Sequence, residues 1–553
     1  MECRDRGIGR YAMSLTEALV RIASADDEVV IAIDGADIER SRDVRSELRA
    51  RGIEANVVGS GYPNTEFSDL SSDISTGAGL LRSRFFESLD PDILLVTSFF
   101  EVGSRYSTAL DRAVLAGIPS AVIAYDIIPL LFPERYLPPG EFISDWYPKK
   151  IEDFKRFDLF LAISEATRND LIEKLSIEPE RIRVIGAGLD DGLRVIEAGQ
   201  SGTSLSALGV SDPFVLMVGN ADWRKNCMGA LEAFAALPAA LRARHQLVFT
   251  QVGDDIRAAL RGKYAHLCDR VVIAGKVSEE TLARLYAECR VFFFPSLYEG
   301  FGLPVLEAMA SGAAVLSSDR GALAEVVHDK RVLFDPAHPD VATDLLRRTR
   351  EDERFRREIV QGARDHALSF TWDRCATAAL DALSERARTR HASRATEWRP
   401  SRQEVAILAN ACVGVGTGAS ASLRNGLQAI LGGGARRILV DITEVTRLDA
   451  RSGIQRVVRN YLSGLMAEVA GSGRHTVEPI HWTENGIRYA RSFARDRLSA
   501  ACEGDDEEVS VKSNDLLFML DSSWWGVERF DLLKQQIWKA GGEVVWMVYD
   551  LVP

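Results

Sequence analysis

No histidine precedes His245, although the chain has 8. A catalytic imidazole in the N-terminal part, and with it a histidine-centred triad, is excluded. Cysteine is sparse: the 7 in 553 residues are Cys3, Cys227, Cys268, Cys289, Cys375, Cys412 and Cys502, never in a Cys-x-x-Cys pair. That scatter offers neither a zinc knuckle nor a disulfide framework, and the expected setting is a reducing cytoplasm. Basic charge is also short. Against 80 Asp and Glu stand 67 Lys and Arg, a net charge of −13, which is the wrong sign for a nucleic-acid partner. No apolar run approaches the roughly 20 residues of a membrane-spanning helix. The expectation is a soluble chain, at most peripheral to a membrane.

What is present is ordinary globular composition, 46% hydrophobic and 27% charged, in a chain too long for one core. Up to Phe370, short apolar runs alternate with longer helical patterns, which predicts parallel sheets covered by helices. The strand candidates are Val29–Ile33, Asp92–Val96, Ala121–Tyr125, Leu159–Ile163 and Arg183–Ile185. A polar, glycine-dotted link from Gly186 to Pro213 precedes a second set: Phe214–Val218, Gln246–Thr250, Val271–Ile273, Val291–Phe294 and Ala314–Ser317. Between them, Ser278–Cys289 opens with a serine cap and acidic residues, a helix start. The reading is two doubly wound α/β domains facing a cleft, 1–200 and 201–390. The chain turns basic from Ser384 to Arg402 and Ala/Gly/Ser-rich over 403–436, so 391–436 reads as a linker.

The remainder, 437–553, echoes the beginning. Arg6-Gly7-Ile8-Gly9-Arg10 is matched by Ser452-Gly453-Ile454-Gln455-Arg456, and Tyr125-Asp126-Ile127-Ile128-Pro129 by Tyr549-Asp550-Leu551-Val552-Pro553. Order and context agree in both copies, which points to an internal repeat and a partial third Rossmann-like domain. The second copy has a strand, Ile438–Val445, ahead of its motif, whereas only Met1–Asp5 precede Arg6. The expectation is therefore that the first domain lacks its first strand and that the second copy is truncated.

The chemistry concentrates in Pro295-Ser296-Leu297-Tyr298-Glu299-Gly300-Phe301-Gly302-Leu303-Pro304-Val305-Leu306-Glu307. A buried strand delivers the chain to the carboxyl edge of a sheet, where open α/β folds bind ligands. A glycine loop and a helix opening near Pro304 then offer free N–H groups and a positive dipole end, which suit a diphosphate. Glu299 and Glu307 are placed to face one cleft and accept hydrogen bonds from sugar hydroxyls. Alone, such a pair reads better as two solvated glutamates on a strand–loop–helix. The whole string resembles the donor-site signature of family 4 retaining glycosyltransferases, a likeness running from about residue 6 to residue 385. That resemblance implies a GT-B fold. It assigns Glu299 to the transferred sugar, Glu307 to the nucleotide ribose, and Gly300, Phe301, Gly302 and Leu303 to the sugar and diphosphate.

Three further elements take their roles from the same resemblance. In Gly219-Asn220-Ala221-Asp222-Trp223-Arg224-Lys225-Asn226, Lys225 matches the lysine of the family's diphosphate clamp, with Gly219 opening the loop. The family often has an arginine directly after that glycine; here Asn220 stands there, and Arg224 is the substitute cation. Gly7 and Gly9 form a loop ahead of a helix, Tyr11–Ile22, that would approach the donor from the opposite domain. Asp126 orients an acceptor hydroxyl or caps a helix. Asp190-Asp191 and Asp254-Asp255 are adjacent pairs, not the spaced Asp-x-Asp of a manganese-dependent transferase, and neither a metal nor a cofactor is expected. Gly414-Val415-Gly416-Thr417-Gly418-Ala419 fits a dinucleotide-binding pattern, but the repeat claims the following strand, Ile438–Asp441.

The resulting expectation is a metal-independent, retaining hexosyltransferase in polysaccharide or lipopolysaccharide synthesis, with GDP-mannose as the favoured donor. Its partners would be a nucleotide sugar and a glycan or lipid-linked glycan, at the inner face of the membrane. Two rivals stay open: a nucleotide-sugar epimerase or hydrolase on the same fold, and a non-catalytic assembly partner.

Overall fold

The computed structural model describes residues 7–24, 27–34, 44, 46–53, 55–60, 79–80, 82–87, 89–100, 115, 117–190, 205–211, 213–388, 436–447, 453–470, 475–498, 502, 504–512, 515–520, 527–539 and 542–546. The chain divides into two compact units. The first draws on 1–24, 95–99 and 120–389, the second on 25–94, 100–119 and 390–553.

The first unit is built on two parallel sheets. One has the order β3-β4-β5-β6, from β3 (Leu94–Val96), β4 (Ser120–Ala124), β5 (Leu159–Ala162) and β6 (Ile182–Val184). The other comprises β7 (Phe214–Met217), β8 (Gln246–Phe249), β9 (Val271–Ile273), β10 (Val291–Phe294), β11 (Val315–Ser318) and β12 (Leu333–Phe334), ordered β12-β11-β10-β7-β8-β9. Every residue of β4, β5, β7, β8 and β10 is buried. That is why these strands read as continuous apolar runs rather than alternating ones. The strand order reverses between β7 and β10. Ligands in open α/β sheets bind beside such a switch point.

Six helices place the site residues: α1 (Gly7–Ile22), α2 (Glu165–Leu175), α3 (Cys227–Ala235), α4 (Glu279–Glu288), α5 (Leu303–Ala310) and α6 (Trp372–Ala387). Helix α1 packs on α6, and the Tyr11 and Trp372 rings meet edge to face at 4.9 Å. Helices α2 and α4 open as their sequences require: Ser164 accepts from the Thr167 amide and Ser278 from the Thr281 amide. Ser164 does more, because its hydroxyl also donates to the Gly300 carbonyl at 2.7 Å. It thereby ties the edge of β5 to the loop after β10.

Two expectations are corrected here. Gly7 and Gly9 do not form a loop ahead of a helix at Tyr11; they are the first turn of α1 itself. First-turn amides lack intrahelical partners in any helix, and at a helix end glycine costs less than in the interior. The expected strand Ile438–Val445 ends earlier, as β13 (Arg436–Asp441), and a short helix, Thr443–Arg447, follows. Asp441 turns the chain by accepting from the Thr443 amide and hydroxyl. The sequence reading also missed β12 and β2 (Asn56–Ser60), which pairs in parallel with β1 (Val30–Asp34) in the second unit. Two residues carry no periodicity, and β2 holds a glycine.

The second unit also contains a five-stranded sheet ordered β15-β14-β13-β16-β17, with β14 (His475–Thr483), β15 (Gly486–Tyr489), β16 (Leu516–Met519) and β17 (Glu543–Trp546). Only the β14–β15 pair is antiparallel. Helix α7 (Gly453–Ala470) starts at the glycine equivalent to Gly7, where α1 starts. The echoed motif at 549–553, the linker 391–435 and the dinucleotide-like stretch at 414–419 lie outside the described residues.

The double duty of Ser164 yields a comparison. Ser164→Ala removes a helix cap and leaves the Gly300 carbonyl only the longer 3.4 Å contact of the Thr167 hydroxyl, at a cost of about 2 kcal/mol or more. Ser278→Ala removes only a cap, about 1 kcal/mol. Denaturant midpoints should rank the two variants in that order.

Candidate active site

The loops after β7 and β10 flank the switch point and carry opposite charges into it. A single 3₁₀ turn, Trp223–Lys225, capped by the Asp222 side chain, presents both cations of the first loop. Glu299 of the second loop is 7% exposed and lies between them. Lys225 Nζ is 2.7 Å from its Oε1 and Arg224 Nη1 is 2.7 Å from its Oε2. Ser296 donates to Oε1 at 2.6 Å. Burial pushes the Glu299 carboxyl up, but Lys225 and Arg224 outweigh it and hold its pKa at about 2. Arg224 also donates to the Tyr298 carbonyl at 2.5 Å and pairs with Asp222 at 3.3 Å. Its Nε and the neighbouring Trp223 Nε1 are buried donors with no acceptor among the described residues. Buried N–H groups are normally paired, so this loop suits a ligand rich in acceptor oxygens.

Helix α5 begins at the far end of the second loop. Gly302 caps it with φ 104°, a left-handed conformation that glycine adopts at no steric cost. Gly300 is required for a different reason. A Cβ there would lie 2.6 Å from the Tyr125 carbonyl oxygen and 3.1 Å from the Asp126 Cβ. The loop thus abuts the carboxyl end of β4, and Asp126 stands near the Glu299–Arg224 cluster. Asp126 Oδ1 accepts from the Ile128 amide at 3.0 Å, so the helix-capping reading holds for one oxygen. Burial raises its pKa, with the Ile128 hydrogen bond and Arg224 opposing.

Phe301 packs edge to face on Phe370. Gly219 is tight against α3: a Cβ would lie 2.7 Å from Cys227 Sγ. Glycine at 219 therefore serves packing.

Glu307 is not beside Glu299. It is 5% exposed on α5 and belongs to a second cluster. Arg10 Nη2 lies 3.0 Å from its Oε1, and the Tyr286 hydroxyl donates to Oε2 at 3.0 Å. Burial pushes the Glu307 carboxyl up against the pull of Arg10 and Tyr286. Arg10 also donates to Asp190 Oδ2 at 2.8 Å, and Asp190 Oδ1 accepts from Ser14 and the Trp372 indole. A small cavity is lined by Arg10, Gly188, Asp190, Leu303, Glu307 and Trp372, among others.

The structure thus brings Glu299, Lys225, Arg224 and Asp126 together and sets Glu307 and Leu303 in an adjoining cluster. Gly7 and Gly9 precede Arg10 in the same helical turn. Sequence reasoning missed Ser296, Tyr286, Arg10, Asp190 and Trp372. Arg10 had a signal, since both copies of the repeated motif end in arginine. In sequence, Asp190 stands out only as half of the adjacent pair Asp190-Asp191. Tyr286 lies 21 residues from its partner in an ordinary helix, and nothing local marks it. Among the described residues there is no group of three or more His, Cys, Asp or Glu side chains able to hold a metal ion. None of the described helices is long and apolar enough to cross a membrane.

Residues 6–193 match the family model described as Glycosyltransferase Family 4, and residues 206–366 the one described as Glycosyl transferases group 1. The chain is 29% identical, over its full length, to the serotype-specific mannosyltransferase WbdA of Escherichia coli, of which it covers 66%. It is 33% identical over 31% of its length to the O-antigen chain mannosyltransferase B of Escherichia coli, covering 45% of that protein. Anabaena Alr3699/HepE, solved in complex with UDP and glucose, is similar at a TM-score of 0.48 and 18% identity, covering 69% of this chain and 97% of that one. The chain spans between 59% and 66% of the length of the WbdA relatives it matches. The two matched segments, 6–193 and 206–366, place the chain with the family 4/group 1 glycosyltransferases.

The Glu299 cluster gives a pH signature. A carboxyl lowered from 4.5 to about 2 on folding contributes stability that is present above pH 4.5 and is lost as pH falls toward 2. The stability gap between the wild type and Glu299→Gln should therefore narrow across that window in denaturant titrations. A constant gap would contradict the ion-pair geometry.

Proposed function

We propose that this glycosyltransferase moves a hexose from a nucleoside diphosphate sugar to a hydroxyl of a glycan, with retention at the anomeric carbon. The donor we favour is GDP-mannose, and the setting is bacterial surface polysaccharide or lipopolysaccharide synthesis. The carrying observation is the Glu299–Lys225–Arg224 cluster at the switch point, opposite the N-terminus of α5. On this reading the diphosphate lies between the α5 amides and Lys225, with Arg224 beside it. Glu299 holds hydroxyls of the transferred sugar and Glu307 the ribose.

The leaving group explains the charges. As the anomeric bond breaks, negative charge grows on the β-phosphate oxygen. Lys225, Arg224 and the helix dipole stabilise it where water is scarce. The same phosphate oxygen takes the proton from the incoming hydroxyl on the front face, so no imidazole base is needed. Asp126, with Oδ1 occupied by Ile128, has Oδ2 left to orient that hydroxyl. Cationic side chains and backbone amides fill the role a metal ion fills elsewhere. The acceptor is a glycan or lipid-linked glycan met at the cytoplasmic face of the membrane. We read 436–546 as a second copy of the first domain's opening strands and helix.

Two measurements test this. Incubation with UDP-, GDP- and dTDP-sugars plus glycan acceptors should release nucleoside diphosphate only when acceptor is present. Release without acceptor would favour a hydrolase. Lys225→Ala should lower kcat by about 10²–10³-fold, as expected for loss of one preorganised group at a developing charge.

A further inference from the structure

The helix Pro339–Glu351 buries an arginine in its last turn. Arg350 is 8% exposed, and its Nε, Nη1 and Nη2 are all buried donors with no acceptor among the described residues. Buried charges are normally paired, because desolvation penalises a lone ion heavily. The carbonyl end of a helix favours a cation, yet no carbonyl accepts a hydrogen bond from this one. Nor does a neighbouring charge offset the burial. Burial first, and then the positive charge of Arg290, push the Arg350 pKa down to about 9, which still leaves the side chain charged at neutral pH.

The acids nearby in the chain are committed elsewhere. Glu353 holds Arg290 and, at 2.8 Å, Arg356. Glu351 pairs with Arg347 at 2.9 Å, and Asp352 caps the next helix by accepting from the Phe355 amide at 2.9 Å. Arg290, Arg350 and Arg356 thus stand against the single carboxylate of Glu353, an excess of two positive charges. The place is also distinct from the candidate active site. Arg290 directly precedes β10, and its amide donates to the carbonyl of Phe214, the first residue of β7, at 2.8 Å. That is the amino edge of the second sheet, whereas Lys225 and Glu299 follow the carboxyl ends of the same two strands.

We propose that Arg350 and Arg290 form a second anion site, for the phosphate group of a small soluble molecule, on the sheet edge opposite the candidate active site. A terminal phosphate carries about 1.5–2 negative charges at pH 7, which matches the excess, and its oxygens match guanidinium forks. A carboxylate would leave one charge unbalanced. Arg290, its side chain 29% exposed, is the solvent-facing member that receives the ligand. Arg350 breaks no hydrogen bond in turning to it. Its depth excludes a headgroup fixed in a bilayer.

The test is titration of inorganic phosphate into the wild type and Arg350→Met, followed by phosphorus NMR at constant ionic strength, with GDP titrated in parallel by calorimetry. The phosphate Kd should rise at least about ten-fold in Arg350→Met, as loss of charge-assisted hydrogen bonds implies. The GDP Kd should change by no more than about two-fold. If the wild type binds no phosphate, or both proteins bind it equally, the proposal falls. It falls too if phosphate binding is lost in Lys225→Ala but kept in Arg350→Met, because the anion then sits at the donor site. If Arg350→Met does not fold, Arg290→Gln must weaken phosphate binding while sparing GDP, or the proposal falls. The transferase reading does not depend on this result. GDP that binds neither protein would count against that reading alone.

Discussion

A carboxylate buried between two cations governs the first unit. Glu299, taken out of water alone, would be driven to its neutral form. Lys225 and Arg224 keep it charged. With Asp222 on Arg224, the two cations are balanced by two carboxylates before any ligand arrives. On the proposed reading, an incoming diphosphate competes with Glu299 for the same cations. As they turn to phosphate, the carboxylate oxygens become free to accept hydrogen bonds from sugar hydroxyls.

Backbone packing holds this exchange in register. Gly300 lies against the Tyr125 carbonyl with no room for a methyl group, and its own carbonyl accepts from Ser164. The loop bearing Glu299 is therefore seated on the carboxyl edges of β4 and β5. Domain approach, helix capping and active-site placement share the same few atoms. A change at Gly300 or Ser164 would act on the chemistry although neither side chain carries charge.

Much of this was legible in the sequence because the fully buried parallel strands wrote themselves as unbroken apolar runs. All ten strand candidates in the first unit's two sheets and the β1 region lie within about two residues of the observed ends, which is the usual uncertainty at element boundaries. The Pro295–Glu307 string announced its loop and helix through glycine and proline. What stayed hidden was contact between distant segments. Arg10 meets Glu307 and Asp190 only after folding, and no spacing rule reports it. Gly7 and Gly9 looked like a loop because glycine usually breaks helices, whereas at the first turn that penalty is small. The extension of β13 to Val445 failed because Asp441 offers a side-chain acceptor that turns the chain.

The start of α7 at Gly453 mirrors the start of α1 at Gly7, and Arg456 takes the place of Arg10. The shared arginine gives both helices a cation in the first turn. In α1 that cation lies near three carboxylates, Asp190, Glu279 and Glu307.

The central claim is that a nucleoside diphosphate sits between the start of α5 and the Lys225–Glu299 pair. A crystal structure of the chain with bound GDP tests it most directly. The account predicts phosphate oxygens within hydrogen-bond distance of Lys225 Nζ and of the first amides of α5, with the Lys225–Glu299 contact lengthened. A nucleotide bound elsewhere, with that ion pair intact, would contradict it.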